Sequence, residues 1–264
     1  MKKILLFIPM YNCEQQIVRT LEQLDENVIK YISEVIVVDN QSQDKSISVA
    51  RQYVESEYKY SSRTPIHILR NDNNYGLGGS HKVAFQYAID YCFDYIIVLH
   101  GDNQGDVHDI IPHLNRNKVM QLDSLLGSRF EKQSRLINYS KFRIFGNHCF
   151  NILLSILLRK HISDLGSGLN MYCTEYIRSR FYLNFPNNLT FNVYMLIYGV
   201  YCNSSFYFFP LTWKEEDQIS NAKVFSQSME ILELVCKYIL CHKKVFNTAP
   251  NEYSKIDYTY EKII

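Results

Sequence analysis

The sequence predicts one α/β domain, built on a doubly wound, mostly parallel sheet that helices flank on both faces. Two observations predict this class. Short apolar or β-branched runs alternate with longer segments whose apolar residues recur at helical spacing, as in parallel sheets covered by helices. The chain also has 264 residues, of which 47% are hydrophobic, enough to bury a full core.

Five strands are predicted along the chain. The runs that predict them are residues 4–8, 34–38, 66–69, 95–99 and 124–126. The first run follows Met1-Lys-Lys, as in a signal peptide, but it is short and meets Pro9 instead of a small-residue cleavage site. We therefore interpret it as the first strand.

Helices are predicted in the connections between these strands. The apolar residues at helical intervals are Ile17, Leu21 and Leu24, then Ile47, Ala50 and Val54, then Val83, Tyr87 and Tyr91. Asp44 and Ser46 are candidate caps of the second helix, and residues 58–64 predict a surface loop. Each connection is expected to be a right-handed crossover.

The second half of the chain carries the only strong charge bias. Residues 129–161 hold seven Lys or Arg side chains against one Glu. Within them, residues 145–158 predict an amphipathic helix whose apolar face either packs on the core or lies on an anionic membrane surface. Residues 225–240 predict another helix, followed by a polar tail.

The composition excludes some classes of protein. A formal net charge of +1 gives no overall field for nucleic acid, so nucleic-acid binding is not expected. Seven cysteines without metal-ligand spacing indicate reduced thiols and a cytoplasmic location. Residues 181–213 carry no charge, but Asn and Pro interrupt them, so we expect no spanning helix and at most peripheral contact at the inner face of the membrane.

The most informative feature is the end of the fourth strand, where the apolar run meets Asp102. In open α/β sheets ligands bind at the carboxyl ends of the strands, and a carboxylate there suits a divalent cation held against a diphosphate. Asp39 ends the second strand in the same way and is placed to accept a hydrogen bond from a nucleoside; the alternative is that Asp39 and Ser42 only cap the next helix. These features predict a metal-dependent enzyme that acts on a nucleotide.

Several motifs together resemble the family 2 glycosyltransferases of the GT-A fold, above all the dolichyl- or polyprenyl-phosphate sugar transferases. The motifs, in the family's order over residues 4–223, are Pro9-Met-Tyr11-Asn12 with Glu14, Val-Val-Asp39, Gly76-Leu-Gly78, Leu-His100-Gly-Asp102-Asn-Gln104, Gly127-Ser128-Arg129-Phe130 and Asp164-Leu-Gly-Ser167-Gly168. Each motif is weak alone, whereas the ordered set is specific.

The resemblance implies a role for each matching residue. Base and ribose would be surrounded by Pro9, Tyr11, Glu14 and Asp39. The diphosphate would meet Mg²⁺ or Mn²⁺ on Asp102, with Gly78, His81, Lys82, Gln104, Ser128 and Arg129 nearby and Lys214 or Lys223 closing over it. Asp164 would face the acceptor. Together these roles imply an inverting hexosyltransferase that uses a UDP-, GDP- or CDP-linked sugar.

Three positions depart from the family's pattern. Asn40 and His100 stand where many relatives carry Asp, and Trp213 stands where an Arg is expected. Imidazole ligates Mn²⁺ but suits Mg²⁺ poorly, so His100 either ligates the metal or touches the diphosphate or acceptor. Asn40 leaves the identity of the base open.

The acceptor is expected to be a polyprenyl phosphate or a surface-glycan precursor. A phosphate acceptor arrives ionised and needs cations, which the stretch after Arg129 supplies, whereas a hydroxyl needs a general base. The late helix offers Asn192 where relatives acting on hydroxyls carry an acid, which favours phosphate, although Asp164 remains a candidate base. We expect a nucleotide-sugar half at residues 1–104, an acceptor half at 105–223 and a C-terminal helix and tail at 224–264.

Other functions remain as alternatives. A dinucleotide-binding oxidoreductase is disfavoured because His81 stands where the motif's third Gly belongs. A sugar nucleotidyltransferase would need a Gly-rich loop after the first strand, where this chain has Pro9-Met-Tyr-Asn. A catalytically silent homologue that binds nucleotide-sugars would fit His100 and Asn40.

Overall fold

The computed structural model describes residues 2–116, 118–217, 224–246 and 251–264. Its strands are β1 (Ile4–Met10), β2 (Glu34–Asp39), β3 (Ile66–Asn71), β4 (Tyr95–Leu99), β5 (Ser124–Ser128), β6 (Arg135–Ile137), β7 (Leu169–Cys173), β8 (Phe206–Pro210), β9 (Thr212–Lys214) and β10 (Tyr260–Lys262). The five strands predicted from sequence are β1 to β5, and each is present.

Helices fill the connections as predicted. They are α1 (Ile17–Glu22), α2 (Glu26–Ile29), α3 (Ser46–Ser56), α4 (Gly76–Asp90), α5 (Ile111–Leu114), α6 (Lys141–Leu158), α7 (Thr174–Ile177), α8 (Phe191–Tyr201) and α9 (Val224–Val245). Three short 3₁₀ turns lie at Val107–Asp109, Val119–Gln121 and Phe181–Asn184. The backbone of α9 leaves helical geometry at Cys241, where φ is −160°.

The main sheet has the strand order β10-β3-β2-β1-β4-β7-β5-β8. The block β3-β2-β1-β4 is wholly parallel, and β5 pairs in parallel with β8. Two strands break the pattern, since β7 runs antiparallel between β4 and β5 and β10 runs antiparallel along β3. The prediction of a mostly parallel α/β sheet is confirmed, and β7 and β10 are additions that the apolar runs did not indicate.

Helices cover both faces of this sheet. On one face, buried residues of α4, α8, α9 and α6 form a core with inward side chains of the strands, such as Phe7 and Val98. On the other face, α1 and α3 pack against Leu6 and Ile97. Because both faces are covered, successive residues of β1 and β4 are all buried, as expected for central parallel strands. Such strands leave only their carboxyl ends for ligands.

A small ribbon of β6 and β9 lies beside the carboxyl end of β4. These strands pair in parallel, and Trp213 of β9 forms an isolated bridge with Gly105. The amide of Lys214 donates to the carbonyl of Gln104 at 2.9 Å. The ribbon therefore joins the late part of the chain to the segment that follows Asp102.

The helix predicted at residues 145–158 begins four residues earlier, at Lys141. Leu154 and Leu158 are buried in the core, so the alternative of packing on the core holds for one face of α6. Over the part of the chain that the structure describes, no helix combines the length and the apolar character needed to cross a membrane.

Candidate active site

The residues that follow β1, β2 and β4 meet at one edge of the sheet. Met10 pairs with Asp39, and the amide of Gly101 donates to the carbonyl of Pro9 at 3.1 Å. Burial raises the pKa of Cys13 to about 12, and the charges of Asp102, Asp44 and Asp39 contribute to that rise. The carboxyl groups predicted to bind the nucleotide and the metal therefore follow the two strands that flank β1.

Asp39 lies fully buried at the end of β2. Its two carboxylate oxygens accept the amide of Ser42 at 3.3 and 3.2 Å, and burial raises its pKa. Asp39 therefore closes the turn to Ser42, but neither residue caps the next helix, since α3 begins at Ser46 after Lys45. Arg70, at the end of β3, places Nε 3.8 Å from Asp39 Oδ2 and donates through Nη2 to Gln41 Oε1. The sequence did not single out Arg70, because it follows the predicted run at 66–69 and belongs to none of the motifs.

The loops after β1 and β2 are tied together by polar side chains. Glu14 Oε2 accepts the amide of Lys45 at 2.9 Å, and Asn12 Oδ1 accepts that of Gln43 at 2.8 Å. Glu14, predicted near the base and ribose, therefore uses one carboxylate oxygen to join the loop after β1 to the loop after β2. Tyr11 is 39% exposed, so its ring is accessible at the rim.

Asp102 is held by its own turn. Oδ1 accepts the amide of Gln104 at 3.2 Å, and burial raises the pKa of this carboxyl to about 6. A partly desolvated carboxylate is stabilised by a nearby cation, so the residue fits a divalent ion. No cluster of three or more His, Cys, Asp or Glu side chains with the geometry for a metal occurs within the described ranges. A cation here would need oxygens from the substrate's phosphates, as Mg²⁺ commonly does.

His100 faces the α4 side of the sheet. Its ring centroid lies 6.1 Å from that of His81, and a Cβ on Gly168 would come within 3.0 Å of the His100 ring. Burial lowers the pKa of His100 to about 4, so the imidazole is neutral at pH 7. Its Nε2 has no hydrogen-bond partner in the described portion of the chain. A role for His100 at the substrate or metal stays a prediction.

Arg129 and Asp164 form a buried ion pair. Arg129 Nε lies 2.8 Å from Asp164 Oδ2, and Nη2 lies 2.8 Å from Oδ1. The amide of Arg129 also donates to Oδ2 at 2.9 Å. Burial opposes ionisation of Asp164, but the guanidinium and these donors outweigh it and lower the pKa of the carboxyl. Because both oxygens already bind Arg129, this arrangement disfavours Asp164 as a general base, and its role on the acceptor side stays a prediction.

The same pair orients Arg129 itself. Its guanidinium carbon lies 5.3 Å from the ring centroid of Trp213 and 5.4 Å from that of Phe130. Within the described residues, Nη1 makes no hydrogen bond, so one edge of the guanidinium remains for a phosphate. Trp213, which departs from the family's pattern, is therefore a packing partner of Arg129 that the sequence did not indicate.

Ser128 does not face a substrate. Its side chain is fully buried, and Oγ lies 2.7 Å from Ser163 Oγ and accepts the amide of Phe130 at 3.0 Å. The prediction that it contacts the substrate is corrected: it connects the Arg129 turn to the Asp164 loop.

Gly78 and Lys82 lie inside the protein instead of beside the diphosphate. A Cβ at Gly78 would lie 2.5 Å from the carbonyl oxygen of Pro186, so this glycine permits close packing of α4. Lys82 is fully buried, and its Nζ lies within hydrogen-bond distance of four oxygens: Leu183 O at 3.1 Å, Phe185 O at 2.6 Å, Asn187 Oδ1 at 2.8 Å and Tyr258 Oη at 3.0 Å. Both predictions of substrate contact are corrected for this reason.

Replacing Lys82 with Met is expected to destabilise the fold by about 2–4 kcal/mol, because buried carbonyl oxygens lose their hydrogen-bond donor. Urea unfolding measures this change, with Lys59→Met, an exposed lysine, as the matched control. If the variant kept its stability but had a raised KM for the donor, the predicted contact between Lys82 and the diphosphate would stand.

Of the two late lysines predicted to close over the diphosphate, the structure describes Lys214. Lys214 lies in β9, next to Gln104, so it is placed near the Asp102 turn. Lys223 lies outside the described residues. Arg19 pairs with Asp217 at 2.6 Å, which joins α1 to the segment after β9.

Comparison with known proteins adds a family and a fold. The model of a family described as Glycosyl transferase family 2 matches residues 6–181. Dodecaprenyl-phosphate galacturonate synthase of Rhizobium johnstonii is 27% identical over 176 residues, which are 66% of this chain and 48% of that protein. The chain therefore spans about half the length of this curated relative.

Solved structures show the same architecture. S. aureus TarS 1–349 in complex with UDP-GlcNAc has a TM-score of 0.55 and 17% identity, over 90% of this chain and 67% of that one. Glucosyl-3-phosphoglycerate synthase from Mycobacterium tuberculosis, in complex with Mn²⁺, UDP and phosphoglyceric acid, has a TM-score of 0.60 and 12% identity, over 98% and 86%. At these identities the likeness is one of fold, the GT-A fold.

Proposed function

The chain belongs to glycosyl transferase family 2, and on that premise we propose that it moves a sugar from a nucleotide diphosphate-sugar, with inversion, onto a polyprenyl phosphate or a surface-glycan precursor. One observation carries the proposal: the strands that lead to Asp39 and Asp102 flank β1 on either side, since Met10 pairs with Asp39 and the amide of Gly101 donates to the carbonyl of Pro9 at 3.1 Å. A nucleoside beside Asp39 would place its diphosphate toward Asp102. The neighbours of the same fold that bind UDP or UDP-GlcNAc support this placement.

A divalent cation, Mg²⁺ or Mn²⁺, would be held by Asp102 together with the donor's phosphates. Such an ion would supply charge stabilisation to the departing nucleoside diphosphate. Asp102 fits this role because burial raises its pKa to about 6, and a cation would favour its ionised form. The fold neighbour that binds Mn²⁺ with UDP supports the choice of ion.

A phosphate acceptor is favoured over a hydroxyl acceptor. Because the ion pair with Arg129 engages both oxygens of Asp164, this carboxylate would be a weak base toward a hydroxyl, whereas an ionised phosphate needs no base. Arg129 would orient the phosphate through Nη1. The curated relative's name, which includes dodecaprenyl phosphate, supports a lipid phosphate.

The remaining site residues take supporting positions in this proposal. Gln104 and Lys214 would lie beside the diphosphate, and Pro9 and Tyr11 would line the nucleoside side. Residues 1–104 would form the donor half and 105–223 the acceptor half. A lipid acceptor goes with a cytoplasmic location at the inner face of a membrane.

A donor screen tests the proposal. Release of nucleoside diphosphate from UDP-, GDP- and CDP-sugars is measured with Mn²⁺ or Mg²⁺, with and without a polyprenyl phosphate. We expect one donor to be consumed, at a rate that the lipid phosphate increases and EDTA abolishes. If a donor stabilised the protein against heat equally with and without metal, and no donor were turned over, the catalytically silent homologue would be favoured instead.

A further inference from the structure

Helix α6 (Lys141–Leu158) leaves one apolar face uncovered. Phe142, Phe145, Ile152 and Ile156 are 84%, 68%, 60% and 69% exposed. These positions recur at helical spacing, so they form one stripe, which we call the α6 stripe. Residues 141–158 contain no Asp or Glu.

The opposite face of α6 holds the helix on the protein. Leu154 and Leu158 are buried, and Asn151 donates from Nδ2 to Ser163 O at 2.6 Å. Ser155 Oγ accepts the amide of Ile162 at 2.9 Å. Rotating α6 to bury the stripe would expose Leu154 and Leu158 and would break the hydrogen bond of Asn151. The stripe therefore stays on the outside of the protein.

Basic side chains lie at both ends of the stripe. Lys141 is exposed at the start of α6, and Arg159 and Lys160 are exposed just after its end. An 18-residue helix is about 27 Å long, so these cations bracket the apolar face along its whole length. An apolar face between cations is complementary to an anionic lipid surface, in which acyl chains take the apolar side chains and head groups take the cations.

The same charges oppose pairing of two copies through the stripe. In an antiparallel pair, Lys141 of one helix would lie near Arg159 and Lys160 of the other. The helix offers no acidic side chain to offset this repulsion.

We propose that α6 is an interfacial helix that binds the protein to anionic bilayers, with its axis in the plane of the membrane and the α6 stripe inserted. The inference deepens the membrane location in the proposed function, on which it rests, by naming the helix that makes the contact, and it does not depend on which sugar is used. Asn151 ties α6 to the loop of Ser163 and Asp164, and the ring of His148 lies 5.0 Å from that of Phe130. Binding through α6 would therefore bring the Arg129–Asp164 side of the sheet to the bilayer surface.

Vesicle co-flotation tests the inference. The 264-residue protein is mixed with phosphatidylcholine vesicles, with and without phosphatidylglycerol. We expect binding to the anionic vesicles, and a partition coefficient at least about a hundredfold lower for the double variant Phe145→Gln/Ile156→Gln, since burial of one such side chain is worth roughly tenfold or more. Tyr91→Gln, which changes an apolar residue 54% exposed elsewhere, should bind like the wild type.

Two further variants separate the contributions. Arg159→Glu/Lys160→Glu should lose about tenfold or more of the preference for anionic over neutral vesicles. Phe145→Trp adds a reporter to the single native Trp213, which is buried, and its emission should shift to the blue and be quenched by brominated acyl chains.

Wild-type protein that stays in solution with anionic vesicles would overturn the proposal. So would equal binding of the Phe145→Gln/Ile156→Gln variant, with circular dichroism showing that it is folded. A wild-type dimer that this variant converts to monomer would assign the stripe to a second copy instead. None of these readouts uses sugar transfer, so a failure of the proposed function would leave them intact.

Discussion

Replacing Asp102 with Asn is expected to lower kcat for donor consumption at least about a hundredfold, while the fold remains intact. The amide keeps the size of the side chain but removes the charge that would hold a divalent cation. It can still accept the amide of Gln104, so the turn is preserved. Donor turnover over a range of Mn²⁺ concentrations measures the effect, and isothermal titration measures the loss of metal binding with UDP.

Asp106→Asn is the matched control for this variant. Asp106 lies four residues away and caps the 3₁₀ turn at Val107–Asp109, where Oδ1 accepts the amide of His108 at 3.0 Å. We expect it to retain nearly full activity. Equal loss in both variants would show that the turn, and not the charge of Asp102, is what activity requires.

The pKa of Asp102 adds a dependence on pH. Because burial raises this pKa to about 6, the carboxyl would be protonated below that pH instead of below its ordinary value. Proton and cation compete for the same group, so Mn²⁺ affinity should fall as the pH falls through about 6. Asp102→Asn should lack this limb of the profile. A wild-type limb near pH 4 would contradict the assignment.

Breaking the Arg129–Asp164 pair is expected to have the largest effect on stability. Asp164→Asn should lower the free energy of unfolding by about 3–5 kcal/mol, because it leaves the enclosed guanidinium without its counter-charge. Arg129→Met should destabilise the fold in the same way. The double variant should lose less than the sum of the two, since it removes both charges together.

Urea unfolding of the four proteins of this cycle measures the coupling between the two side chains. The exposed pair of Arg178 and Glu175, at 2.7 Å, provides the control, and Arg178→Met should change stability by at most about 1 kcal/mol. Asp164→Asn with unchanged stability but abolished transfer to a hydroxyl acceptor would restore the general-base interpretation.

The sequence was a reliable guide wherever a local pattern carried the information. The runs at 4–8, 34–38 and 95–99 are buried on both faces, so their composition alone distinguishes them from the connecting helices. Asp39 and Asp102 stand at the ends of such runs, and parallel strands bring their carboxyl ends to one edge of the sheet. For these reasons the fold class followed from the sequence, and the ordered motifs gave the family, whereas the candidate site at this edge stays a prediction.

The sequence did not indicate side-chain contacts between residues that lie far apart along the chain. Lys82 looked like a phosphate contact beside glycines, but the 183–187 segment and Tyr258 enclose it. Asp164 was a candidate base from the sequence, but the turn after β5 places Arg129 against both of its carboxylate oxygens. In each case the deciding partner lies 35 or more residues away, so no local pattern encodes it.

Strand β7 and helix α6 show the same division. β7 contains Asn170, and its place between β4 and β5 depends on antiparallel pairing that an apolar run does not reveal. For α6 the sequence established an amphipathic helix between cations, whereas tertiary packing decided that Leu154 and Leu158 face the core and Phe145 and Ile156 face outward. Composition and periodicity are local properties of the chain, but which face is buried depends on what the rest of the fold brings against it.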